Sequence, residues 1–120
     1  MNALHMSRRP AQAPPRVTIL SIAGDVDSVS EEKLRAYFDE AVQADQPRHV
    51  LLDLSGLTFA GTGFLSCLLL WREELARKNG TLVLFGLRRE FASTIRVVAL
   101  DRLLTIRPHE ASALAALPEA

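Results

Sequence analysis

Val50-Leu51-Leu52-Asp53-Leu54-Ser55-Gly56-Leu57-Thr58-Phe59, followed by Gly61-Thr62-Gly63-Phe64-Leu65-Ser66-Cys67-Leu68-Leu69-Leu70-Trp71, is the stretch on which the fold turns. Its first five residues form a short apolar run, a length that suits a strand buried on both faces. Ser55-Gly56 then turns the chain. From Thr62 to about Arg77 the spacing predicts a helix, and Asn79-Gly80 supplies its C-terminal stop. Thr81–Phe85 is a second apolar strand, ended by Gly86.

Upstream, Val17–Ala23 reads as a strand, broken by Gly24-Asp25-Val26-Asp27. Ser30, followed by Glu31 and Glu32, offers an N-cap with acids in the first turn. Leu34, Tyr37, Phe38, Ala41 and Val42 repeat at helical spacing up to Pro47. Residues 1–15 read as an N-terminal arm with a first strand around Leu4–Arg8 and a loop from Pro10 to Pro15. Downstream, Glu90–Leu100 reads as a helix, Leu103–Ile106 as a short strand and Glu110–Leu117 as a last helix. Strands alternating with helices predict a single α/β domain over residues 16–120, a mixed sheet of four to five strands with about four helices.

With 48% hydrophobic and 23% charged residues, the chain has the makings of a core. Lysine plus arginine and aspartate plus glutamate both number 14, so no overall basic excess favours nucleic acid. The longest apolar stretch, Phe64 to Trp71, is too short to cross a bilayer. Arg8 and Arg9 are followed by prolines, not by a signal-peptide core, and one cysteine leaves no internal disulfide. The expected location is the cytoplasm, without direct insertion into a membrane.

Catalytic and metal chemistry find little support. His5, His49 and His109 lack metal-spaced partners. Cys67 sits in an apolar run with nothing nearby to activate it. Gly61-Thr62-Gly63 begins like a phosphate-binding loop, but neither a third glycine nor Gly-Lys-Ser/Thr follows. Asp25, Asp27 and Asp53 could ligate Mg²⁺, yet turn and capping roles account for them. No cofactor, metal or enzymatic activity is expected. A receiver domain with Asp53 as its acceptor fails on parts: the two lysines are Lys33 and Lys78, and Arg107-Pro108 stands where a Lys-Pro belongs.

Four segments in order carry a different resemblance. Asp53-Leu54-Ser55-Gly56-Leu57-Thr58-Phe59 is similar to the Asp-Leu-Ser-Gly-Val-Thr-Phe of STAS domains. Gly24-Asp25-Val26-Asp27 resembles their Gly-Glu-Leu-Asp, and Gly80-Thr81-Leu82-Val83-Leu84 their Gly-Gly-x-Leu-x-Leu. Leu100-Asp101-Arg102-Leu103-Leu104-Thr105-Ile106 resembles Leu-Asp-Arg-Leu-Phe-x-Ile. The likeness spans residues 16–117 and points to the anti-sigma factor antagonists.

The resemblance implies a non-enzymatic switch whose partner is an anti-sigma factor that is also a Ser/Thr kinase, with a phosphatase and a second copy of the chain as further partners. The phosphoacceptor position falls on Thr62, for which a plain N-cap hydroxyl is the alternative. Asp25 and Asp27 match acidic rim positions. Gly61, Gly63 and Phe64 replace the family's Asp, its Ser, Thr or Ala, and its Gly, and Phe64 adds bulk where a partner approaches. The run through Cys67 covers nearly every face of its helix; Leu65, Leu68 and Leu69 suit a core, while Phe64 and Trp71 suggest a protein-facing patch. The expected partner-binding set is therefore Asp25, Asp27, Gly61, Thr62, Gly63, Phe64, Cys67 and Trp71. The same family resemblance also allows an accessory subunit of a lipid transporter.

Overall fold

The longest strand, β2 (Val17–Val26), is the frame on which the other strands are laid. The structure is a computed structural model and describes residues 2–118. β1 (His5–Pro10) pairs antiparallel with β2, from His5 opposite Ala23 to Pro10 opposite Thr18. Pro10 closes this strand instead of opening a loop, because an edge position tolerates the missing N–H. On the other side of β2, β3 (His49–Asp53) runs parallel, with Val17 opposite His49. β5 (Leu82–Phe85) and β6 (Thr105–Arg107) continue in parallel, giving the order β1-β2-β3-β5-β6.

A sixth strand, β4 (Leu57–Ala60), was hidden from the sequence reading. It follows the Ser55-Gly56 turn and pairs the last residues of β2. Beyond the point where β3 stops, the end of β2 would otherwise lack a parallel neighbour on that side, and β4 takes the place.

Four helices complete the fold: α1 (Ser30–Asp45), α2 (Thr62–Arg77), α3 (Arg89–Val97) and α4 (Glu110–Ala115). α3 ends earlier than its apolar spacing predicts, because Ala99 takes φ 61° and the chain passes into a 3₁₀ turn at Leu100–Arg102. Strand alternation sorts the core into two layers. Leu20, Ile22, Leu52 and Leu84 face α1, α2 and α3, whereas Ile19, Leu51 and Val83 face α4. Both faces of the parallel strands are thus covered, which explains their unbroken apolar runs.

All the parallel strands begin at one edge of the sheet and end at the other. The C-terminal edge receives the starts of α1, α2 and α3, and the N-terminal edge their ends. At the heart of the helical layer Phe38 of α1 stacks on Trp71 of α2, ring centroids 4.3 Å apart and 11° from parallel. Phe64 meets Trp71 edge-on at 6.3 Å and Phe91 of α3 at 5.7 Å. These rings join three helices into one layer.

His49 is the buried titratable group of the sheet. Its Nδ1 accepts the Thr81 N–H at 3.0 Å, so the neutral ring is the form that fits. Burial, with Arg48 adding, lowers its pKa from the ordinary value.

Two outcomes follow from these contacts. Trp71→Ala is expected to destabilise the fold by about 3–5 kcal/mol in a denaturant titration, the range for removing a buried aromatic. A small loss would show that the stack is not central. For His49 the folded-state pKa lies below the unfolded one, so its contribution is complete above about pH 6.5 and is lost as pH falls through the folded value. Stability measured from about pH 8 downward should decline in the wild type and less steeply in His49→Gln, which keeps an acceptor but does not titrate.

Candidate functional site

The C-terminal edge of the sheet brings the marked residues together where β4 hands over to α2. Gly61 is the N-cap of α2, and its N–H donates to the Val26 carbonyl at 2.9 Å, tying the helix start to β2. Among the described residues no side chain caps this end. Thr62, the first helical residue, is exposed, and among the described residues its hydroxyl has no hydrogen-bond partner. The structure therefore gives the cap position to Gly61 and leaves the Thr62 hydroxyl open to visitors. Exposed N–H groups and the positive end of the helix dipole lie beside it.

Gly63 has a definite reason to be glycine. A Cβ placed on it would fall far inside van der Waals contact with the carboxylate of Glu31, reaching over from α1. The absent side chain makes room for an internal carboxylate at the first turn of α2, where negative charge is favoured. Glu31 is largely covered, and its Oε1 lies 3.6 Å from Arg35 one turn along α1. Arg35 also lies beside Cys67; the thiol foremost, and Glu31 after it, raise the guanidinium pKa.

Asp25 and Asp27 flank this start, each already engaged. Asp25 accepts the Thr58 hydroxyl at 2.5 Å and the Asn2 N–H at 3.0 Å, and these bonds, Thr58 first, hold its carboxyl below the ordinary range. Asp27 accepts both the N–H and the hydroxyl of Ser30 at 2.8 Å, with the N–H the larger cause of its lowered pKa. Ser30, expected as the N-cap of α1, is instead its first residue, and the Asp27 carboxylate does the capping. Asp53 similarly holds the Ser55 N–H at 3.0 Å and its hydroxyl at 2.7 Å. Among the described residues no group of three His, Cys, Asp or Glu is placed to hold a metal.

Three expected contact residues are displaced by the structure. Phe64 is 0% exposed, Trp71 1% and Cys67 3%, so none can touch a partner directly. The helix is apolar on most faces because α1, α3 and the sheet all press on it, and Phe64 and Trp71 fill those joints. Besides Val29 at the start of α1, 78% exposed, the apolar side chain actually displayed at this edge is Phe59 of β4, 55% exposed. It lies on a groove of about 350 Å³ between β4 and α3 that Arg88, Glu90, Phe91 and Thr94 also line. The alternation of Leu57, Thr58, Phe59 and Ala60 is the strand signal there, directly behind the turn at Ser55-Gly56.

Fold and geometry define a small α/β domain whose sheet edge presents an open helix start. The STAS domain family model matches residues 8–113, and the chain belongs to that family. It is 25% identical over 101 residues to the anti-sigma F factor antagonist of Paenibacillus polymyxa, covering 84% of this chain and 86% of that one. The crystal structure of an anti-sigma factor antagonist from Mycobacterium paratuberculosis superposes with a TM-score of 0.84 at 23% identity, covering 98% of this chain and 96% of the other. The phosphorylated form of the Bacillus cell fate determinant SpoIIAA gives 0.64 at 14% identity, over 88% and 96%.

The Glu31–Gly63 fit is open to a double-mutant cycle. Glu31 ends in a flexible chain, so Gly63→Ala should expel the carboxylate and leave the protein folded. Glu31→Gln should then weaken the wild type but have almost no effect in the Gly63→Ala background, with a coupling of about 0.5–1 kcal/mol. Equal effects in both backgrounds would mean that the carboxylate gains nothing from its seat.

Proposed function

We propose that this chain is an anti-sigma factor antagonist, a non-enzymatic protein-binding switch set by phosphate on Thr62. The observation that carries the reading is the exposed, unbonded Thr62 hydroxyl on the first turn of α2. Its relatives named as anti-sigma factor antagonists give the partner class. A partner anti-sigma factor with kinase activity adds the phosphate, and a separate phosphatase removes it in the cytoplasm.

The physics of the edge supports such a switch. A phosphate brings about −1.5 to −2 charges at neutral pH. It would join a rim already holding Glu31, Asp25 and Asp27, with Arg35 as the cation nearest to Glu31. The helix start tolerates the attached anion, while a partner seated on the same rim meets added repulsion and an added hydration shell. Unphosphorylated, the rim offers a partner the Thr62 hydroxyl, the Gly61 and Gly63 backbone and the exposed ring of Phe59.

Incubation with the cognate anti-sigma kinase and ATP should place one phosphate on Thr62, read by mass spectrometry, and none on Thr62→Ala. In pull-downs Thr62→Ala should retain the anti-sigma factor, whereas Thr62→Glu should bind at least about tenfold more weakly, the scale of one well-placed repulsive charge. Equal retention by both variants, or recovery of a permease and its ATPase in place of an anti-sigma factor, would overturn the proposal.

A further inference from the structure

The opposite, N-terminal edge of the sheet has properties that the switch does not use. The end of α3 and the 3₁₀ turn after it leave three aliphatic side chains in solvent: Val97 is 84% exposed, Val98 48% and Leu103 47%. They fall within seven positions of the chain, and their exposure makes this end of α3 an aliphatic knob. Arg96 directly precedes Val97 and Arg102 directly precedes Leu103, and both are exposed; Asp101 is the sole carboxylate between them.

The topology adds more positive charge to this edge. It collects Arg77, the last residue of α2, and Lys78 after it, together with Arg16 and Arg48, which lead into β2 and β3. Arg48 reaches the Asn79 carbonyl at 3.4 Å and Arg16 the Gln46 carbonyl at 3.2 Å, so these segments adjoin. Asp45, a carboxylate at the same edge, is occupied by Arg8 at 3.2 Å. The C-terminal edge carries Asp25, Asp27, Glu31 and Asp53, interspersed with Arg88 and Arg89 at the start of α3 and Arg107 at the end of β6, so its charge is mixed where the N-terminal edge is mainly basic.

We infer that this basic edge docks the domain on an anionic phospholipid surface, with Val97, Val98 and Leu103 entering the headgroup layer and the flanking arginines meeting lipid phosphates. A second copy is less suited as occupant, because a twofold contact through the knob gathers four arginines, Arg96 and Arg102 of each copy, around only two Asp101 carboxylates. Nucleic acid would use the cations but gains nothing from three protruding aliphatic groups. No helix of the described residues is long and apolar enough to cross a membrane, so the attachment is peripheral. Docked this way, the domain turns Thr62 away from the lipid.

Co-sedimentation of the full chain with vesicles tests this. Vesicles rich in phosphatidylglycerol should retain the protein at low salt, and pure phosphatidylcholine vesicles should not. Arg96→Gln with Arg102→Gln should weaken partitioning roughly thirtyfold, from about a fivefold share per cation. Val97→Asn with Leu103→Asn should also release the protein, with a melting curve confirming that this variant is folded. Thr62→Glu should partition like the wild type, which separates this result from the fate of the switch. No retention on phosphatidylglycerol, retention unaffected by either double variant, equal competition by DNA, or conversion of a dimer to a monomer by the knob variant would each overturn the inference.

Discussion

The stack of Phe38 on Trp71 fixes how α1 and α2 lie against each other, and the display edge inherits its geometry from that contact. Both helices start at the same edge of the sheet and run in the same direction. Glu31 stands seven residues before Phe38 and Gly63 eight before Trp71, so each lies about two turns, or 10–12 Å, up its helix from the rings. The aromatic pair thereby sets the register in which a carboxylate of one helix meets the missing side chain of the other. A disturbance in the core would be felt at the surface through that alignment.

The same enclosure decides what α2 can show. With α1, α3 and the sheet pressing on it, the helix keeps one exposed stripe, through Thr62, Ser66, Leu70, Glu73 and Arg77. The hydroxyl of Thr62 is the polar group at the head of that stripe, above a helix whose other faces are filled.

Much of this was legible in the chain. The bounds of α2, from Thr62 to Arg77, follow from its spacing and the Asn79-Gly80 stop, and the buried strands from their unbroken apolar runs. Periodicity could not separate Phe64 and Trp71 from a surface patch, because a helix wedged between two neighbours and one left bare on a side can share the same residues. β4 escaped because four residues directly after a turn look like part of it. The placement of Glu31 over Gly63 was invisible for another reason: it depends on a pairing between helices that no local pattern encodes. Net charge is silent on placement for a similar reason, since a sum over residues erases the ends at which they are collected.

The tie between Asn2 and Asp25 has a practical side. The Asn2 backbone exchanges two hydrogen bonds with Asp25, one through each of its polar groups, and so lies at the acidic rim. Any tag or fused domain attached ahead of it would emerge at that rim, on the same edge of the sheet as Thr62. The last turn of α4 instead ends near Pro14, Pro15 and Arg48, at the far edge. A C-terminal handle would leave the acidic rim uncovered, so the position of an affinity label alone could make one preparation look inert and another responsive.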